Sequence, residues 1–457
     1  MTTPKNMLID ALLHRPTPSI PWVPYAGVHA GFLKGYDCST VLTDADKLFE
    51  SLMEVNRIYK PSGQPVVFDI QLEAEILGCE LLWASDSPPS VKSHPLAETT
   101  DIPCLCTLPT ANDGRIPIVL DVTRRLKESI GDKTALYGLI CGPFTLASHL
   151  RGSEIFMDMY DEPEYIAGLL DYCTAVAKRM ADLYLEAGVD VVAVVDPLVS
   201  QISSEHFEEF LTKPFSALFA HIREQKSIAS FFVCGNATRN IEVMCKTGPH
   251  SISVDENVDI VAAKSICDRY DISIGGNIPL TTVMLHGTQQ DNMKFVIDLI
   301  DRFGGNTEGL ILAPGCDMPY TVPPENVIAV GQAVLQPDRT RILLEHYVAP
   351  ADDIFVELPD YKHLKRPLVE VFTLDSKTCA ACTYMMASAN EAEAAYKDAV
   401  DVVEYKYTRK EDIARIKKMG VKNLPSIYVN GELKFSSLIP SRQELHAVID
   451  EAIAKQQ

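Results

Sequence analysis

The chain has 457 residues, 47% hydrophobic and 23% charged, with 41 Lys plus Arg against 62 Asp plus Glu and a formal charge of −21. That balance excludes a disordered chain, and also a protein built to coat nucleic acid or an anionic membrane, because phosphate binding needs a basic surface. No apolar run reaches the roughly 18 residues of a membrane span, and the polar start Met1–Asn6 lacks the form of a signal peptide, so a cytoplasmic protein with mostly reduced cysteines is expected.

Short apolar runs alternate with helical patterns through the first part of the chain. Strands are expected at Trp22–Tyr25, at Pro65–Phe68 before Asp69, and at Ala135–Ile140 before Cys141-Gly142-Pro143. A long amphipathic helix is expected from about Pro163 to Ala187. Further strands follow at Val191–Val195 before Asp196, Ile228–Val233 before Cys234, and Ser251–Val254 before Asp255 and Glu256. The last two are Ile272–Ile274 before Gly275-Gly276-Asn277, and Leu310–Ala313 before Pro314-Gly315-Cys316. Such alternation implies a parallel sheet covered on both faces, and about eight units predict an α/β fold of the (β/α)8 TIM-barrel type.

A barrel places chemistry at the C-terminal ends of its strands. Here those ends carry Asp69, Asp196, Cys234, Asp255, Glu256, Asn277 and Cys316. Asp and Asn at these places also serve as helix caps; capping explains little about the two cysteines. Cys234 and Cys316 would leave the fifth and eighth strands and converge over the mouth. Two thiols with a carboxylate or imidazole make a zinc site with an open position, and two thiols far apart in sequence are also common as separate core residues.

The charge is uneven. From Leu368 to Gln457 there are 12 basic and 13 acidic residues, so the deficit belongs to the first part. The Pro-, Asp- and Lys-rich stretch before it reads as a linker. The expected organisation is a barrel over 1–345, a linker over 346–367 and a small domain over 368–457. In the small domain an alternating strand, Leu368–Leu374, precedes Cys379-Ala-Ala-Cys382, which opens a helix. A second strand (401–405), a helix (412–419), a hairpin turning at Asn430-Gly431 and a last helix (441–454) follow.

Several segments together carry a family resemblance. Cys141–Ala147, Asp196-Pro197, Val233–Asn236, Ile252–Asp255, Gly276-Asn277 and Leu312–Cys316, with Phe68-Asp69 through Glu73-Ala-Glu75 to Leu77-Gly78, resemble the uroporphyrinogen decarboxylase superfamily. The likeness is greatest to its branch of corrinoid-dependent methyltransferases, such as the methylcobalamin:coenzyme M enzymes, and spans about residues 8–340. It implies a barrel that moves a methyl group from methylcobalamin, or from a corrinoid on a separate carrier protein, to a small thiol. The chain lacks the D-x-H-x-x-G pattern that would bind a corrinoid itself, and G-x-G-x-x-G dinucleotide fingerprints are absent too.

In that branch a His-x-Cys element and a later Cys hold zinc, which lowers the pKa of the substrate thiol. Cys234 and Cys316 match the two cysteines, and Phe232 stands where the His belongs. Three readings stay open. Glu256 or Asp255 completes the site, with or without a histidine such as His29; the site holds metal weakly; or the cysteines are redox thiols without metal. Asp69, Asp196 and Asn277 are the expected substrate-binding residues. Decarboxylation of a porphyrinogen is not expected, because Pro21–Phe32 contains no Arg to clamp its carboxylates.

Residues 368–457 resemble the thioredoxin/glutaredoxin fold, with Gly420-Val421 to Leu424-Pro425-Ser426 as the cis-proline loop. The resemblance makes Cys379 the attacking thiol, activated at a helix N-terminus, Cys382 the resolving thiol, and Pro425 the wall of the cleft. Two other functions remain: a thiol–disulfide oxidoreductase with a non-methylating barrel, and a lyase acting on a small carboxylate at Asp69.

Overall fold

The computed structural model describes residues 3–348, 354–377, 379–437 and 439–455. The chain divides into two compact units, one of Met1–Val199 with Ser203–Ala349 and the other of Ser200–Ile202 with Pro350–Gln457.

In the first unit seven strands form one parallel sheet in chain order: Gly63–Pro65, Ala135–Cys141, Val191–Val195, Ile228–Val233, Ser251–Val254, Ser273–Ile278 and Leu310–Pro314. The Trp22 segment supplies the eighth stave and closes the ring. It bridges Leu312 in parallel, Val23 N–H donates to the Leu312 carbonyl at 3.0 Å, and Ser62 N–H donates to the Trp22 carbonyl at 2.9 Å. The expected (β/α)8 TIM barrel is therefore what the chain forms.

The strands are buried on both faces, as the β-branched run Val191–Val195 is along its whole length. Their period of two sorts the side chains. Tyr137, Leu139, Val191, Ala193, Val195, Ile228, Phe232, Ile311 and Ala313 share the core inside the barrel. Phe231, one residue from Phe232, points outward and packs on Phe215 and Phe219 at centroid distances of 4.4 and 5.3 Å. The long helix runs Pro163–Ala187, with Pro at its first turn and Gly188 ending it in the left-handed conformation. Two strand ends differ from expectation. Ser273–Ile278 continues through Gly275-Gly276-Asn277, so Asn277 lies within a strand. Gly63–Pro65 stops before Val66–Phe68.

The second unit has a four-stranded sheet ordered Asp401–Lys406, Leu368–Thr373, Ser426–Val429, Glu432–Ser436; the first pair is parallel and the others antiparallel. Three main helices cover it, Ala380–Tyr396, Lys410–Met419 and Arg442–Ala454. Asn430 and Gly431 both take positive φ, which the two-residue hairpin requires. The stretch expected as a linker is anchored here: the Tyr361 hydroxyl donates to Glu370 Oε2 at 2.8 Å, and Arg415 pairs with Glu370 Oε1. Glu370 is fully buried. Tyr361→Phe removes a charge-assisted bond and leaves Oε2 unsatisfied, so a loss of about 1–3 kcal/mol is expected in the unfolding transition of this unit; denaturant titration of the full chain, followed by a probe on the second unit, measures it.

Candidate active site

Cys234 directly follows one strand and Cys316 follows another, three steps round the sheet. Their Cα atoms are 6.2 Å apart and their sulfurs are joined as a disulfide, while the other ten cysteines are free. Both are half-buried and pack on the interior core, with Phe232 below Cys234 on the same face. Phe232 is 1% exposed. It meets the rings of Tyr25 and Phe68 edge-on at 5.0 and 5.6 Å. The Tyr25 hydroxyl shares a hydrogen bond with Ser253 at 3.3 Å, and burial pushes its pKa up to about 12, so it stays protonated. The mouth thus has an aromatic floor with two sulfurs above it.

The other expected metal ligands are engaged elsewhere. Glu256 Oε2 accepts from Leu280 N–H at 2.7 Å, and burial raises its pKa to about 8. Asp255 accepts from the backbone and side-chain N–H groups of Asn257, and burial pushes its carboxyl up. His29 donates from Nδ1 to the Tyr320 carbonyl at 3.0 Å and accepts at Nε2 from the Tyr59 hydroxyl at 2.7 Å. Burial lowers its pKa to about 4, and no lone pair is left for a metal. Zinc takes three or four His, Cys, Asp or Glu ligands, and among the described residues no group of three is placed to hold a metal ion. The residues present do not fit a zinc centre: the bonded sulfurs of Cys234 and Cys316, with Glu256 tied to backbone, replace the ligand set expected from the sequence.

Asp196 and Asn277, expected to line the substrate cavity, both bind neighbouring segments of the barrel. Asp196 accepts from the N–H groups of Phe144 (2.9 Å) and Thr145 (3.1 Å) and from the Thr145 hydroxyl (2.6 Å), which clamps the N-terminus of helix Pro143–Arg151. Burial nevertheless raises its pKa to about 7. A Cβ on Gly142 would overlap this carboxylate, which is why glycine precedes Pro143. Asn277 Nδ2 donates to the carbonyls of Asp255 (3.1 Å) and Val258 (2.7 Å), holding the next loop.

Asp69 sits in a charged cluster that the sequence reading only half found. Its Oδ2 accepts from Arg115 at 2.6 Å, and Arg115 Nε also donates to Glu75 at 2.7 Å. Glu73 Oε1 accepts from Cys141 N–H at 2.9 Å, while its Oε2 is buried without a partner; burial raises its pKa to about 8. Asp317 Oδ1 accepts from Gly27 N–H at 2.7 Å, and burial raises its pKa to about 8 as well. Arg115 had one legible signal. A cation next to the N-terminus of helix Ile116–Ile130 opposes the helix dipole, so it is placed there for other partners.

In the second unit Cys379 is the N-cap of helix Ala380–Tyr396, and its sulfur accepts from Cys382 N–H at 3.4 Å. Cys379 is half-buried; Cys382 is fully buried, accepts from Leu374 N–H at 3.3 Å, and is pushed well up in pKa by burial. The Leu424–Pro425 peptide is cis. The pairing of Ser426 with Phe372 sets Pro425 at the sheet end from which the cysteine loop leaves.

The chain is a member of the uroporphyrinogen decarboxylase family, whose model matches residues 3–336, and residues 368–450 match the thioredoxin domain. It is 29% identical over 332 residues to a methylcobamide:CoM methyltransferase of Methanosarcina acetivorans, covering 71% of this chain and 95% of the relative. A uroporphyrinogen decarboxylase of Anaeromyxobacter dehalogenans is 26% identical over 278 residues, 58% of this chain and 78% of the relative. A solved methyltransferase from Methanosarcina mazei superposes with a TM-score of 0.66 at 23% identity, covering 74% of this chain and 99% of that one, which speaks for the barrel fold. No helix among the described residues is long and apolar enough to cross a membrane.

Proposed function

We propose that the barrel is a corrinoid-linked methyltransferase that passes a methyl group from methylcobalamin, or from a methyl-corrinoid on a separate protein, to a small thiol. The observation that carries this reading is the match to a methylcobamide:CoM methyltransferase over 95% of that relative's length. The mouth suits the chemistry: the ring faces and edges of Phe232, Tyr25 and Phe68 favour a thiol or thioether sulfur by polarizability, and they keep water from the transferring methyl. Cys379, Cys382 and Pro425 form a dithiol module whose partner is a disulfide. A cytoplasmic address accords with the free thiols.

Incubating the reduced full chain with methylcobalamin and a panel of thiols, coenzyme M included, tests the reading. Loss of the methylcobalamin spectrum with formation of the methyl thioether is expected for at least one thiol. Turnover that instead releases carbon dioxide from a small carboxylate, and stops in Asp69→Asn, would replace this reading with a lyase.

A further inference from the structure

We propose that the Cys234–Cys316 disulfide at the barrel mouth is a substrate of the chain's own Cys379/Cys382 dithiol. Four observations carry this. The two barrel cysteines stand 82 residues apart, yet their Cα atoms lie 6.2 Å apart, inside the roughly 4.4–6.8 Å range that a disulfide requires. Their strands are not neighbours in the sheet, so the bond spans the mouth and does not staple adjacent strands. Among the described residues a metal role lacks its third ligand: Phe232 fills the floor and both nitrogens of His29 are committed. Finally, the pair is half-buried, whereas Cys38, Cys79, Cys141, Cys173, Cys245 and Cys267 are buried.

The second unit has the complementary asymmetry. Cys379 is half-buried at a helix N-cap, where the N–H of Cys382 donates to its sulfur. Cys382 is sealed behind it. The exchange balances as follows. The Cys379 thiolate attacks one barrel sulfur, forming a mixed disulfide and releasing the other barrel sulfur as a thiolate. Cys382 gives up its proton and attacks the Cys379 sulfur, which expels the second barrel thiolate. The barrel pair gains two electrons, and two protons as its thiolates protonate; the Cys379/Cys382 pair loses the same and becomes a disulfide. An external dithiol returns it to the reduced form. Carriage of both pairs on one chain holds them at a one-to-one ratio. This inference does not depend on methyl transfer.

The test uses the full chain. With the barrel pair oxidised, Cys382→Ser leaves the first step without its resolving thiol, so digestion and mass spectrometry are expected to find Cys379 linked to Cys234 or Cys316. In the wild type, dithiothreitol should expose Cys234 and Cys316 to alkylation at least about tenfold faster than in Cys379→Ser/Cys382→Ser, given the advantage of a tethered thiol. Equal rates together with no cross-linked peptide overturn the proposal. So does one zinc per chain in the reduced wild type that is lost in Cys234→Ser, because the thiols would then be ligands. The trapped peptide reports a covalent bond directly and so stands even where the double variant folds poorly.

Discussion

At pH 8, Glu73→Gln is expected to leave the barrel more stable than the wild type by about 2–4 kcal/mol, with the gain fading toward pH 5. Glu73 is 1% exposed, one of its oxygens has no partner, and burial raises its pKa to about 8. Between the ordinary carboxyl value and that pKa the folded chain holds a proton that the unfolded chain has released. Stability therefore falls as pH rises from about 4.5 to 8 and levels off outside that window. Glutamine keeps the oxygen that accepts from Cys141 N–H and cannot ionise, so one proton's worth of slope is removed. Asp196, Glu256 and Asp317 also have raised values, so the slope is reduced and not abolished. Denaturant unfolding at pH 5, 6, 7 and 8 measures this; parallel curves for variant and wild type would mean that Glu73 is ionised in the folded barrel.

Much of this architecture is legible from side-chain period alone. Val191–Val195 is a continuous apolar run, and Ile228–Val233 is interrupted only by Ser230, because a parallel strand in a barrel is covered on both sides. Proline at the start and glycine at the end delimit the helix Pro163–Ala187. Convergence of Cys234 and Cys316 follows from their strand exits, and the order of elements around Cys379-Ala-Ala-Cys382 marks the second fold. Side-chain direction is what a linear reading misses. Asp196 just past one strand and Asn277 within another both hold backbone groups of neighbouring segments, a direction that residue type alone does not give. Arg115 and Asp317 escaped for a related reason. Their partners, Asp69 with Glu75 and Gly27, lie 40 to 290 residues away, and no local pattern joins them.

Arg115→Met is expected to lower barrel stability by about 3–5 kcal/mol, because it removes one partner of a buried ion pair and leaves the other charged. The Arg115 side chain is 9% exposed and that of Asp69 is 1% exposed, with 2.6 Å between them. The guanidinium also holds Glu75 at 2.7 Å and lies over the Trp83 ring at 5.0 Å. Methionine retains most of the stem's packing but no charge, so the loss reports the uncompensated carboxylates and not a cavity. Asp69→Asn in the same chain removes the stranded charge, so the double variant should recover a substantial part of the loss, and the cycle of four proteins gives the coupling directly. Equal losses in the single and double variants would show that Arg115 acts through Trp83 and packing.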